Sequence, residues 1–187
     1  MLSFIKLIKI NLIVLIAIAL VFYVTILLGD GPGKLDTYLK FMMGAKILLL
    51  LTFGFAAVPG IIIAFAFIAT NYSPLIVDNF GVVIFTLIHT IVPISAIHLM
   101  NITKVSNFID LANIDFRHIM FLVPFASLFS SIFKYILIEE FTNLEINGGF
   151  FIWKYFISNS LGGLVLIYFV LRTIPYALSK LGYQLNN

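Results

Sequence analysis

The stretch "AAVPGIIIAFAFIATNYSP", Ala56 to Pro74, sets a Pro-Gly pair inside otherwise unbroken apolar sequence. Pro59 has no backbone N–H and its ring crowds the preceding turn, while Gly60 weakens a helix further. The apolar run that contains them, Phe41–Thr70, is too long for one ordinary bilayer span of about 17–25 residues and marginal for two. The layout of the chain therefore turns on this pair. A break at Pro59–Gly60 divides the run into segments 41–58 and 61–75.

Composition identifies the solvent. The chain has 187 residues, of which 62% are hydrophobic and 10% charged, and its mean hydropathy is +1.15. Soluble domains carry about a quarter charged residues, so a surface this apolar belongs in lipid. The absence of cysteine excludes disulfides, thiolate metal sites and Cys nucleophiles. The formal charge of +3 is spread along the chain, and no basic run marks nucleic-acid binding. Ile10–Leu28 follows Lys6 and Lys9, but it exceeds the secretory apolar core of about 7–15 residues and no A-x-A site follows it. It reads as a retained first transmembrane helix. The expectation is all-α: one polytopic transmembrane helical bundle over 1–187, with about six spans at 10–28, 41–58, 61–75, 82–100, 119–138 and 150–171.

Charge gives the orientation. Lys6, Lys9, Lys104, Arg117, Arg172 and Lys180 alternate along the chain with loops carrying Asp30, Asp36, Asp78, Glu139, Glu140 and Glu145. The positive-inside rule then places both termini in the cytoplasm, and six crossings satisfy that while five do not. A re-entrant hairpin over 41–75 remains an alternative, because irregular backbone is tolerated at depth when protein surrounds it. Tyr38, Tyr72, Trp153, Tyr155 and Tyr176 fall near span ends, where aromatic rings anchor a helix at the headgroups.

Polar residues within the spans carry what chemistry there is. Lys46, Lys134 and Lys154 lie near the outer ends of their spans, with Glu139, Glu140 and Glu145 close by. They read either as snorkelling lysines or as an outward-facing cationic pocket for a small anion, with Asn159 lining it and the carboxylates at its rim. His89 and His98 are nine positions apart, about 13 Å along a helix, which is wrong for shared ligation of one metal. Interhelical hydrogen bonds or interfacial positions suit all three histidines, His118 included. Ser127 and Ser131, with Gly162 and Gly163, form small-residue stripes that suit packing of the last two spans. There is no G-x-S-x-G and no intramembrane pair of acids, so no enzyme, metal or cofactor is expected. The expected partners are the lipid bilayer and a protein in the membrane or cytoplasm.

"VPGIIIAFAF", the basic turn before the fifth span, the small residues within that span, and "WKYFISNSLGGLVLIYFVLRTI" together resemble the MASE1 family of bacterial integral-membrane sensory domains. The resemblance implies a sensory input domain in a bacterial inner membrane, signalling through a partner because no output module is present. Ala56 and Ala57 stand where that family usually has Trp-Pro. Two other functions fit the same sequence: a substrate-binding subunit of a small-molecule transporter, and a structural scaffold of a larger membrane complex. Ala17 and Ala19 lie two apart on the first span and so do not build the small-residue coupling face that a transporter subunit would use.

Overall fold

A computed structural model describes residues 4–28, 39–72, 79–104, 116–141 and 147–180. The helices are α1 (Phe4–Leu28), α2 (Met42–Phe53), α3 (Val58–Tyr72), α4 (Asn79–Ile102), α5 (Phe116–Phe141) and α6 (Gly148–Lys180), and a 3-10 turn, Gly54–Ala57, joins α2 to α3. No strand occurs among the described residues. Five stretches are long and apolar enough to cross a membrane: Phe4–Leu28, Met42–Asn71, Phe80–Ile102, His118–Glu140 and Gly148–Thr173. The molecule is an all-helical bundle of membrane-spanning character.

The six-span expectation is modified at Met42–Asn71. That stretch is not a straight rod. Lys46 Nζ lies 5.0 Å from the centroid of the Phe65 ring, whereas a continuous helix would set those residues about 28 Å apart. The chain therefore folds back between them, and α1 packs along both arms. The arms hold 12 and 15 residues, about 18 and 22 Å of helix, each short of a hydrocarbon core of about 30 Å. The end of the expected 61–75 segment lies outside the described residues.

The expected break at Pro59–Gly60 is also displaced. The reversal occurs at Gly54, whose φ of 58° and ψ of −144° favour a residue without a Cβ. Gly54 N–H still closes the end of α2 on Leu50 O. Pro59 stands in the first turn of α3, where an N–H has no intrahelical acceptor and proline costs nothing. Gly60 N–H, another donor of that turn, is taken by Asn11 Oδ1 of α1 at 2.6 Å, and Asn11 Nδ2 donates to Leu7 O at 2.9 Å. A Cβ on Gly60 would sit 2.9 Å from both Asn11 Oδ1 and Val14 Cγ1, so this glycine is a seat for α1. It is not the hinge.

Three contacts set the depth of α2. Lys40 N–H donates to Ser158 O at 3.1 Å, a Cβ on Gly162 would meet Lys40 backbone at 2.6 Å, and a Cβ on Gly44 would meet Gly163 O at 2.5 Å. The partners advance together, so α2 runs parallel to α6. Ser158 is ten residues into α6, so α2 begins about 15 Å below the α6 N-terminus. It is a half-helix starting at mid-bundle. Gly162 and Gly163 do serve close packing, but against α2 as well as α5.

The remaining helices alternate. His89 of α4 stacks on Phe65 of α3, Lys134 of α5 approaches Phe85 of α4, and Tyr135 of α5 meets Phe151 of α6. One core cluster gathers Ile18, Phe65, Phe85, Leu137, Ile138, Phe151 and Tyr155. The other gathers Met43, Ile47, Ala96, Leu122, Val123 and Ile167. The first lies toward the start of α6, and the second closes the bundle toward its end.

Overpacking a close backbone contact costs about 1–3 kcal/mol, so Gly44→Val lowers the thermal unfolding midpoint of the detergent-solubilised protein. Gly149→Ala, whose added Cβ meets nothing nearer than Asn147 Oδ1 at 3.8 Å, leaves the midpoint unchanged. Equal midpoints for Gly44→Val and wild type would contradict the placement of α2 against α6.

Candidate functional site

The mid-depth start of α2 brings Lys40 and Lys46 to α4, α5 and α6. Lys40 Nζ lies 3.2 Å from the centroid of the Tyr155 ring. Lys134 donates a short hydrogen bond to the Tyr155 hydroxyl, and its Nζ lies 4.2 Å from the same ring and 5.5 Å from that of Phe85. Tyr155 is buried and stacks on Phe151 with centroids 5.0 Å apart. It is the hub of the cluster, and its expected role as an interfacial anchor does not hold. Trp153, by contrast, is exposed.

Lys46 is only 2% exposed. Helical side chains lean toward the N-terminus of their helix, which sends Lys46 up toward Lys134 and Tyr155. Among the described residues no oxygen partner is placed at its Nζ, and the Phe65 ring is its nearest aromatic face. Snorkelling does not describe a lysine held this deep.

His89 completes the floor. Its ring lies 4.0 Å from Phe85 and 4.8 Å from Phe65 between centroids, and Nδ1 is 2.9 Å from Phe85 O. Lys46, Lys134 and Lys40 are the charges that bear on it. His98, exposed near the end of α4, and His118, half-buried at the start of α5, are remote from this group.

Among the described residues, no carboxylate bears on Lys40, Lys46 or His89. Glu139 is exposed and takes a hydrogen bond from Tyr135, Glu140 is exposed, and Glu145 lies outside the described residues. Lys154 is half-buried, 5.7 Å from the Phe150 ring centroid, and close enough to act on Lys40. The start of α2 adds the positive end of a helix dipole, about half a unit charge. The net result is a cationic pocket walled by aromatic rings. No three His, Asp or Glu side chains gather to hold a metal among the described residues.

Below the lysines the seam between α5 and α6 is polar. Lys134, Ser131, Ser130 and Ser127 share one helical face by spacing, and the three serines are buried. Ser158, Asn159 and Ser160 are buried opposite them on α6. A Cβ on Gly163 would meet Val123 Cγ1 at 2.8 Å, so the seam closes just beneath, on the second apolar cluster. Of the expected site residues, Lys46 and Lys134 are brought near enough to act on one another, Asn159 is buried on α6 one turn past Tyr155, and Lys154 flanks the group. Lys40, His89, Phe65, Phe85 and Tyr155 were missed. Lys40 was hidden by its position ahead of a span, and Tyr155 by its resemblance to an anchor.

Fold and site together define an all-helical bundle of membrane-spanning character with a buried lysine–aromatic cluster where α2 meets α4, α5 and α6. No family model, curated protein or solved structure matches the chain, and the resemblance to MASE1 domains rests on the residues quoted for it.

An ammonium buried without an oxygen partner is worth replacing, by about 1–4 kcal/mol on the scale of buried ionic groups exchanged for apolar ones. Lys46→Met therefore raises the unfolding midpoint of protein washed free of added anions. Tyr155→Phe lowers it, because a hydrogen bond from a charged donor contributes about 1.5–3 kcal/mol. A lower midpoint for Lys46→Met under those conditions would show that Lys46 has an internal partner.

Proposed function

We propose that the protein binds a small anion in this pocket and works as a sensory or accessory subunit in a bacterial inner membrane. The observation that carries the proposal is the fully buried Lys46, grouped with Lys40, Lys134 and Tyr155 and with no carboxylate brought to it among the described residues. Intramembrane charges are costly and are kept for ligands, ions or partners. An anion entering from the α6 N-terminal end would supply the missing counter-charge, and it would strengthen as water leaves the site. Binding would tie α2 to α5 and α6, giving a change in helix packing for a partner subunit to read. In this proposal the segments at 42–53 and 58–72 form a re-entrant pair, both termini face the cytoplasm, and the pocket opens on the opposite side.

A transporter subunit is the second reading, favoured by the start of α2 at mid-bundle. Interrupted helices whose N-termini face a ligand at mid-depth are a recurrent device of secondary transporters. A mild-detergent pull-down separates the two. A kinase or cyclase partner supports sensing, and an energising ATPase supports transport.

Inorganic phosphate added to the full chain in nanodiscs raises its unfolding midpoint saturably. Loss of two charged hydrogen-bond donors weakens that binding by about tenfold or more in Lys40→Met/Lys134→Met. Lys154→Met, at the flank, has a smaller effect. Binding of equal affinity in the double variant would overturn the pocket.

A further inference from the structure

Several buried hydroxyls among the described residues are satisfied by their own helices. Thr86 Oγ1 donates to Val82 O, Thr90 Oγ1 to Thr86 O and Ser131 Oγ to Ser127 O, at 2.7–2.9 Å. Two are not. Ser127 Oγ and Ser160 Oγ are buried and have no hydrogen-bond partner among the described residues, in residues 0% and 7% exposed. Buried polar atoms are rarely left this way, and those that are call for an explanation.

Their positions supply one. The pairs Lys134–Tyr155 and Val123–Gly163 fix the register of α5 against α6, and that register sets Ser127 level with Ser160. Ser160 shares with Gly163 and Ile167 the helical face that meets Val123. The two orphan hydroxyls thus lie along one seam, roughly 8–10 Å below the Lys134–Tyr155 hydrogen bond. The seam is charged at its top, hydroxyl-lined below and closed by apolar residues.

Resting on the anion-binding proposal above, we infer that the pocket takes a phosphate ester of a short polyol, with the phosphate at the lysines and its hydroxyl groups on Ser127 and Ser160. Three observations select this chemistry. A phosphate monoester carries close to two negative charges at neutral pH, which answers Lys40, Lys46 and Lys134 better than a single carboxylate. Lysine binds phosphate as a point charge and sets no fixed orientation on it, whereas the arginine fork would demand a bidentate pose. Arg117 and Arg172, the two arginines in the sequence, lie in the first turn of α5 and toward the end of α6, away from the pocket. Third, a serine hydroxyl both donates and accepts, which matches a polyol and gives nothing to a bare alkyl chain. The same chemistry occurs in a soluble polyol phosphate and in the head group of a glycerol-based anionic lipid.

The test uses the full chain in phosphatidylcholine nanodiscs, with glycerol 3-phosphate and n-propyl phosphate as probes. Two hydrogen bonds to hydroxyls, each giving about two- to tenfold, predict at least about fivefold tighter binding of glycerol 3-phosphate. Ser127→Ala/Ser160→Ala should abolish that preference and leave n-propyl phosphate affinity unchanged. If the head group is the source, the preference appears instead as retention of phosphatidylglycerol over phosphatidic acid in mixed nanodiscs, read by native mass spectrometry and lost in the same variant. Equal binding of the two probes together with no lipid preference overturns the inference while leaving the anion pocket standing. Failure of inorganic phosphate, both probes and both lipids to bind wild type removes the pocket itself. A serine variant that keeps the preference also overturns the inference, since the hydroxyls would then serve only the bundle.

Discussion

The seating of α2 against α6 is the contact on which the rest of the molecule depends. Gly44 and Gly163 bring two backbones closer than any side chain would permit, and Lys40 N–H is spent on Ser158 O rather than on water. Those contacts hold the start of a short helix at mid-bundle, where its free N–H groups and two lysines would otherwise have no reason to be. The place of Lys40 on Tyr155 and of Lys46 on Phe65 follows from that depth. With α2 raised by two turns, Lys46 would clear the Phe65 ring and Lys40 would lose Tyr155. With α2 lowered, its N-terminus would bury itself in the apolar cluster around Val123.

Electrostatics explains why such a group needs aromatic walls. In a medium of low dielectric, like charges repel far more strongly than in water, and here Lys40, Lys46 and Lys134 act on a common neighbourhood. Rings offer partial relief. A cation over an aromatic face gains about 0.5–2 kcal/mol, the more so when desolvated, and Phe65, Phe85 and Tyr155 each receive one. The Tyr155 hydroxyl adds an acceptor for Lys134. That relief is smaller than the cost of desolvating several ammonium groups, and this shortfall is what the proposed anion would make good.

How much of this was legible in the sequence depended on whether the signal was local. Length and apolar composition identify a membrane bundle, because every span must satisfy that constraint by itself. Lys46 and Lys134 stand out for the same reason, as charges inside apolar runs. The Pro-Gly pair misled, because proline ends a helix from within but is welcome in a first turn. Which case applied at Pro59 was decided at the start of the preceding turn, by the positive φ of Gly54, and by Asn11, 49 residues away from Gly60. Lys40, His89 and Tyr155 join the site only through tertiary contacts. No spacing along one helix encodes the register of α2 on α6.

The pocket is closed at its lower end by Met43, Ile47, Leu122, Val123 and Ile167, and sensing and transport make different demands on that plug. A sensor keeps it shut, since ligand energy must go into drawing α2, α5 and α6 together rather than into parting them. Transport requires a path past Val123 and Gly163, and the side that could move is α2. Its closest approach to α6 is glycine backbone, at Gly44 and Gly163, while Gly54 supplies a joint at its other end. Asn11 ties α3, not α2, to α1, so α2 could shift while the second arm stayed in place. The same small-residue contact that fixes the depth of the lysines therefore also borders the plug. On the proposed reading, sensing and transport differ in whether anion binding tightens that contact or opens it.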